Sequence, residues 1–422
     1  MKRYLPRIAD EVLAFKLRSK GAVLVEGPKR CGKSTTCMRQ AETVIKMQDT
    51  ETREQNIALA YTSASNLLAK QPPLLIDEWQ EAPILWDAIR AEVDRRDEFG
   101  QFILTGSVSP LDEKERKEIH HSGIGRITTM TMKPMSLYES EDSDGSVSLK
   151  DLFNGGRVAA TSDKHLQDYA YLLCRGGWPK AIGLDEDIAM EQSYDYYEQL
   201  VQTDFAKAID GDYSRQTLQR LIRSYARHLS TSAAKALIRK DVGADTFSEK
   251  TFDRYYDALA RLFVIDDIPA WNPNIRSKAR IQVTPTRQFC DPSIATAALG
   301  LGPQDLIDDL KTFGLFFESM CDRDLSVYAS ALNGRLYHYR DSNGLEADAV
   351  IHLRNGRYAL IEVKLGRQSD IDSAAEHLKA LADNIDTEYM KSPSFLMVLT
   401  AKNAAYTRPD GVHVVPLACL RP

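Results

Sequence analysis

Gly27-Pro28-Lys29-Arg30-Cys31-Gly32-Lys33-Ser34-Thr35 is the stretch on which the fold of this chain turns. It has the form GxxxxGK[ST]. Ala22-Val23-Leu24-Val25 before it is a short apolar run, as a buried parallel strand requires. The residues after it, 36–47, read as a helix. A glycine loop between strand and helix is the context in which this spacing holds phosphate. The glycines let backbone N–H groups wrap the phosphates, and the helix N-terminus adds partial positive charge. Lys33 then reaches the β and γ phosphates and the Ser34 hydroxyl ligates Mg²⁺. The nine residues from Gly27 to Thr35 are the expected nucleotide-binding loop. ATP and Mg²⁺ are the expected cofactors.

Working outward, Leu74-Leu75-Ile76-Asp77-Glu78 is an apolar strand ending in two carboxylates. Asp77 is expected to hold the Mg²⁺ through water and Glu78 to polarise the attacking water. A third strand, Gln101-Phe102-Ile103-Leu104-Thr105, ends in Gly106-Ser107, where Ser107 or Thr105 would sense the γ-phosphate. One further strand is expected near 56–61 and another at 126–132. The sum is a five-stranded parallel sheet with helices on both faces. Arg126 follows a charged helical stretch at 112–121 and sits where ATPases of this type carry an arginine finger. A solvated or ion-paired arginine is the other reading.

The chain has 422 residues, enough for two to four domains. Hydrophobic residues make up 43% and charged residues 27%, which excludes a mostly disordered or fibrous chain. No apolar run reaches the length of a membrane span, and no signal peptide opens the chain, so a cytoplasmic protein is expected. The six cysteines form no CxxC pair and read as ordinary thiols. Lys and Arg number 54 against 60 Asp and Glu, so global charge does not point to nucleic acid. Its distribution does. Residues 214–240 hold seven Lys or Arg and no acid, with Arg220, Arg223 and Arg227 on one helix face. A second acid-free stretch, 272–288, carries Arg276, Lys278 and Arg280. Helices followed by a basic hairpin suit a winged helix whose arginines and lysines touch the phosphate backbone of DNA. The helix at 248–262 carries Glu249, Asp253 and Asp257, which suits a protein-facing surface better.

The last hundred residues hold a second candidate site. Asp348 lies on one predicted strand, and Glu362 and Lys364, two apart, share a face of the next. Asp348 and Glu362 would bind Mg²⁺ or Mn²⁺, with Glu318 on the preceding helix as a third carboxylate. Lys364 would position the water or stabilise the phosphorane. The order and strand context match the PD-(D/E)XK pattern. The same surface could instead hold nucleic acid without cutting it.

These residues resemble the AAA+ superfamily in the first third of the chain. More narrowly, the whole chain resembles a prokaryotic family that joins such an ATPase to a winged-helix region and a C-terminal PD-(D/E)XK nuclease-like domain. The stretches that carry the resemblance include Tyr4-Leu5-Pro6-Arg7, Ile76-Asp77-Glu78-Trp79-Gln80, Leu104-Thr105-Gly106-Ser107, Pro134-Met135-Ser136-Leu137-Tyr138-Glu139 and Gly176-Gly177-Trp178-Pro179. It implies an AAA+ core over 1–140, a helical lid over 141–200, a winged-helix module over 201–300 and an α/β restriction-endonuclease-like domain over 301–422. It also implies that Pro179, with Trp178, lines the adenine pocket, although a plain helix-breaking turn accounts for the same residues. The expected function is a Mg²⁺-dependent ATPase that remodels or moves along DNA, acting as a homo-oligomer, with a ring as one option. The alternatives are a branched-DNA motor with an inactive nuclease fold and a nucleotide-dependent signalling switch.

Overall fold

The computed structural model describes residues 3–107, 122–209, 211–243, 247–272, 283–341, 344–385 and 390–422. The chain divides into two units. The first comprises Met1–Pro134 with Asp257–Val264, the second Met135–Tyr256 with Ile265–Pro422.

The first unit is built on a five-stranded sheet. Its strands are β1 (Ala22–Glu26), β2 (Thr43–Lys46), β3 (Leu74–Asp77), β4 (Phe102–Gly106) and β5 (Ile127–Thr131), and its helices include α1 (Ile8–Leu17), α2 (Lys33–Met38), α3 (Arg53–Leu68) and α4 (Leu85–Arg96). The spatial order is β2-β3-β4-β1-β5, and every pairing is parallel. Strand alternation makes the two-sided core. Ala22 and Leu24 pack on one face with Ile76, Leu104 and Ile89. Val23 and Val25 pack on the other with Leu13, Cys37 and Ile103.

Two expectations are corrected here. The helix after the glycine loop ends at Met38 rather than near 47, and Thr43–Lys46 becomes β2. Thr43, Val44 and Ile45 are β-branched, and pairing with β3 outweighs a marginal helix. The expected strand at 56–61 lies inside α3, an alanine-rich helix that buries Ala60, Leu67 and Leu68. The sheet keeps five strands because β2 simply comes earlier. The expected helical stretch at 112–121 lies outside the described residues.

The second unit holds a seven-stranded sheet of order β7-β12-β13-β11-β10-β9-β8. Its members are β7 (Ala159–Thr161), β8 (Gly334–Arg340), β9 (Glu346–Leu353), β10 (Tyr358–Lys364), β11 (Leu396–Thr400), β12 (Ala404–Thr407) and β13 (His413–Pro416). The 141–200 segment, expected as a helical lid, supplies β7 as well as helices; β7 pairs antiparallel with β12. It also supplies β6 (Val147–Ser148), which pairs with β14 (Leu420–Arg421) at the end of the chain. The helix Gln368–Asn384 covers the sheet through Ile371, Ala374, Ala375, Leu378 and Leu381, an i, i+3, i+4 stripe packed on Tyr358, Leu360 and Val398. In the 201–300 region the helices Arg215–Arg227, Lys235–Gly243 and Glu249–Arg261 precede the antiparallel bridges Ile265–Phe289 and Ile268–Thr286.

Candidate functional site

The nucleotide loop is shaped by backbone geometry that side chains would block. Gly27 has φ 147°, and a Cβ there would lie 2.1 Å from the Met132 carbonyl oxygen. Gly32, at φ 103°, turns the chain into α2. Lys33 is 5% exposed, and its Nζ donates to the Gly27 and Pro28 carbonyls at 2.9 Å each. Cys31 is buried, Lys29 is partly buried, and Arg30 and Thr35 are exposed. The loop is also tied from outside. The buried Arg7 donates to the Cys31 carbonyl at 2.7 Å and to the Lys133 carbonyl at 2.8 Å. Tyr4 stacks under Arg39 and donates to Asp10. Neither task is legible in the sequence around Tyr4 and Arg7, since no local spacing signals a bond to a carbonyl 24 residues away.

The ends of β3 and β4 meet this loop. Ser34 Oγ donates to Asp77 Oδ1 at 2.7 Å, and Thr105 Oγ1 donates to the same oxygen at 2.5 Å. A hydroxyl and a carboxylate so close together fit the hard-oxygen chemistry of Mg²⁺, which would neutralise phosphate charge between them. Glu78 sits one residue past β3 with φ 59°, in the left-handed region. Its N–H donates to Thr105 Oγ1 at 3.1 Å, and its Oε1 accepts from Ser107 Oγ at 2.8 Å. Thr105 and Ser107 are both buried, so both expected sensor positions are engaged with the acidic pair.

Arg126 lies apart from this cluster in its bonding. Its Nε donates to Asp94 Oδ1 on α4 at 2.7 Å, and its side chain is 44% exposed. The ion-paired reading describes this chain as it stands.

The second unit gathers its own charged cluster. β9 and β10 run antiparallel with Ile361 opposite Ala349, so the next step sets Glu362 opposite Asp348. Asp348 Oδ2 accepts from the Val363 N–H at 2.7 Å. Lys364 Nζ lies 2.5 Å from Glu362 Oε2 and 3.4 Å from Asp348 Oδ2, bridging the two carboxylates. Burial and the Asp348 charge push the Glu362 carboxyl up to about 8, against the pull of Lys364. Burial, then Asp348 and Asp322, hold Glu318 well above the carboxylate range. Burial opposes the Lys364 charge, but Asp348 and Glu362 more than offset it, and its pKa is raised. Glu362 Oε1 is buried with no hydrogen-bond partner. That orphaned oxygen and Asp348 fit one hard cation. Glu318 lies close enough for its charge to be felt with those of Asp348, Glu362 and Lys364; among the described residues, no three His, Cys, Asp or Glu side chains are already gathered as a metal-holding group.

The remaining sequence candidates separate clearly. Arg220, Arg223 and Arg227 are exposed on one helix whose opposite face buries Leu218, Leu221, Ile222 and Tyr225. Arg227 stands 4.0 Å from Asp241. Arg276, Lys278 and Arg280 lie outside the described residues. Pro179 is partly buried in the second unit. Its neighbour Trp178 is 2% exposed, stacks on Tyr196 at 4.0 Å and donates to Ser293 Oγ at 3.0 Å. A Cβ on Gly177 would lie 2.2 Å from the Met135 carbonyl oxygen. The Gly177 N–H donates to Asp291, which is ion-paired with the buried Arg323 at 3.0 Å. Gly176-Gly177-Trp178-Pro179 is therefore a packed corner, and the Trp178 ring is committed within it.

Three family matches tile the chain. Residues 19–141 match the family described as AAA domain, 166–305 match a domain of unknown function, DUF8612, and 313–420 match another, DUF4143. No curated protein matches the chain in sequence. A Walker-type ATPase of Pyrococcus abyssi is similar in structure, with 14% identity and TM-score 0.42, over 69% of this chain and 94% of that one. The origin recognition complex of Drosophila bound to DNA gives 12% identity and TM-score 0.20, over 70% and 86%. A signal-transduction ATPase of Pyrococcus horikoshii with a tetratricopeptide repeat sensor gives 10% and 0.21, over 78% and 48%. Taken with the loop, the acidic strand end and the parallel sheet order, the match over 19–141 identifies this segment as an AAA domain with ATPase activity.

Proposed function

We propose that the chain couples ATP hydrolysis in its first unit to DNA held by its second, where a PD-(D/E)XK-like site cuts or grips the strand. The observation that carries this reading is Lys364 bridging Asp348 and Glu362 on adjacent antiparallel strands. The pattern predicted from sequence needs those three side chains on one face, and the helix–three-strand–helix–strand order around them suits the restriction-endonuclease-like fold. A bound Mg²⁺ or Mn²⁺ would supply an activated water. Asp348 and the buried, unbonded Glu362 Oε1 would hold the cation, and Lys364 would orient the water or balance charge on phosphate.

Arg220, Arg223 and Arg227, exposed along the helix Arg215–Arg227, support backbone contact with DNA. Three helices followed by antiparallel bridges support a winged-helix module. In the first unit Glu78 would polarise the lytic water, Ser34 and, through water, Asp77 would hold Mg²⁺, and Arg126, exposed at the surface, would serve a neighbouring subunit of a homo-oligomer.

The test is a cleavage and strand-movement assay on linear, single-stranded and four-way DNA, with Mg²⁺ or Mn²⁺, with and without ATP. Breaks that vanish in Lys364→Ala support the nuclease, and their loss in Lys33→Ala also makes cutting ATP-dependent. Strand movement that needs Lys33, without breaks, supports the gripping form. Absence of DNA affinity at low salt would sink both.

A further inference from the structure

The Glu78 carboxylate has a second tie that no motif assigns. Gln80 Nε2 donates to Glu78 Oε2 at 2.5 Å, while Ser107 Oγ donates to Oε1 at 2.8 Å. Both oxygens are thus held, one from each side, and the Glu78 N–H is anchored on Thr105. The backbone there is in the left-handed region, at φ 59°, a conformation that a non-glycine residue keeps only when its surroundings enforce it.

The glutamine holds Glu78 at the expense of its own acceptor. Gln80 Oε1 is buried and unbonded, as is the neighbouring Trp79 Nε1. An amide that only filled space would turn to satisfy both ends. Here the donor end stays on the carboxylate, a charge-assisted bond that outweighs the unmade one. Two neighbours permit this pose. The Trp79 ring is fully buried and packs on Trp86 at 5.2 Å. Gly106 leaves room on the other side, since a Cβ there would lie 3.1 Å from Gln80 Oε1 and 3.4 Å from Trp79 Nε1.

We propose that Gln80 is a positioning residue for ATP hydrolysis: together with Ser107 it fixes the plane of the Glu78 carboxylate, and Gly106 is the position whose bare Cα lets the amide reach it. This rests on Glu78 as the group that polarises the lytic water. Gln80 touches neither phosphate nor water in this role, and acts only through Glu78.

The experiment compares the full chain as wild type, Glu78→Gln, Gln80→Met, Gly106→Ala and the double variant Glu78→Gln/Gln80→Met. Gln80→Met keeps the volume and removes the donor. Steady-state kcat and KM for ATP are measured beside equilibrium binding of a slowly hydrolysed ATP analogue. Gln80→Met should lower kcat about tenfold or more, with KM and analogue affinity within about twofold. Gly106→Ala should move kcat the same way by a smaller factor. The double variant should be no slower than Glu78→Gln alone, because the two act as a unit. A further full-sized drop in the double variant would make Gln80 an independent structural residue and overturn the proposal. So would an unchanged kcat in Gln80→Met beside a crippled Glu78→Gln. If Glu78→Gln itself hydrolyses at the wild-type rate, the assignment of Glu78 falls, and the proposal falls with it. Gln80→Glu is the check on folding: it fills the same space, sets a like charge against Glu78, and should also depress kcat with binding intact.

Discussion

Ser34 Oγ and Asp77 Oδ1, 43 residues apart in sequence, lie 2.7 Å from each other. The bond joins the first turn of α2 to the last residue of β3. Thr105 adds its hydroxyl to the same oxygen, because β3 and β4 are in register with Asp77 beside Thr105. The corner proposed to hold Mg²⁺ through Ser34 and Asp77 is therefore assembled where α2, β3 and β4 meet, with Thr105 bonded to the same Asp77 oxygen.

Thr105 is fully buried and bonded in two directions, to Asp77 and from the Glu78 N–H. Thr105→Val keeps the shape and leaves both partners short of a bond. Stability should fall by about 1–3 kcal/mol, read as a shift of the urea midpoint at unchanged slope. ATP turnover should fall with it, because the Glu78 backbone loses its anchor. A variant that melts and turns over like wild type would show that this hydroxyl is dispensable.

Arg126 offers a choice between two partners. In the free chain it is paired with Asp94 on α4. If it acts across a subunit interface, Arg126→Ala should abolish hydrolysis and leave ATP affinity within about twofold, while Asp94→Asn should leave hydrolysis intact. Mixing Arg126→Ala with an excess of Lys33→Ala should then restore turnover, since each supplies what the other lacks. Loss of ATP binding in Arg126→Ala would assign the residue a structural part instead.

The basic helix face makes a prediction that depends on salt. Replacing Arg220, Arg223 and Arg227 by glutamine should weaken DNA binding at low salt. The slope of log affinity against log salt should become shallower by about 2–3. Arg227, 4.0 Å from Asp241, should contribute least of the three. Equal slopes for variant and wild type in a fluorescence titration would remove this face from the DNA path.

Glu92 sets a pH dependence in the first unit. Hydrogen bonds from Arg95 and then Arg96 outweigh its burial and hold its carboxyl at about 2. A carboxyl with a depressed folded-state pKa adds stability above its unfolded value, near 4.5, and loses it as pH falls toward 2. Its side chain is 10% exposed. Solvent screening by the exposed Arg95 leaves about 1–2 kcal/mol at pH 7. Glu92→Gln should cost that amount at pH 7 and little near pH 2. Equal losses at both pH values in chemical denaturation would show that packing, not charge, is at stake.

Legibility in the sequence followed the range of the interaction concerned. The glycine loop, the acidic end of β3 and the Thr105-Gly106-Ser107 turn were readable because each is a run of adjacent residues with one chemistry. The strand at 43–46 and the helix over 56–61 are not legible in the sequence, because the first is short and the second weakly periodic. There the neighbouring strand decides, not local preference. Gln80 stood in a quoted motif, yet its spacing from Glu78 does not say where its amide points. For Gly176-Gly177-Trp178-Pro179 the sequence allows both a ligand pocket and a plain turn, and only packing places the Trp178 ring against Tyr196 and Ser293.

By itself the sequence determined that a phosphate-binding loop enters a parallel sheet and that a carboxylate–carboxylate–lysine set recurs near the C-terminus. Covalent order and strand alternation suffice for that, since both act over a few residues. Tertiary structure alone decided that Gln80 and Ser107 grip Glu78, that Arg126 turns to Asp94, and that Lys364 bridges Asp348 and Glu362. Each of those outcomes depends on which side-chain atoms come within about 3 Å once strands and helices pack, a distance that no spacing along the chain encodes.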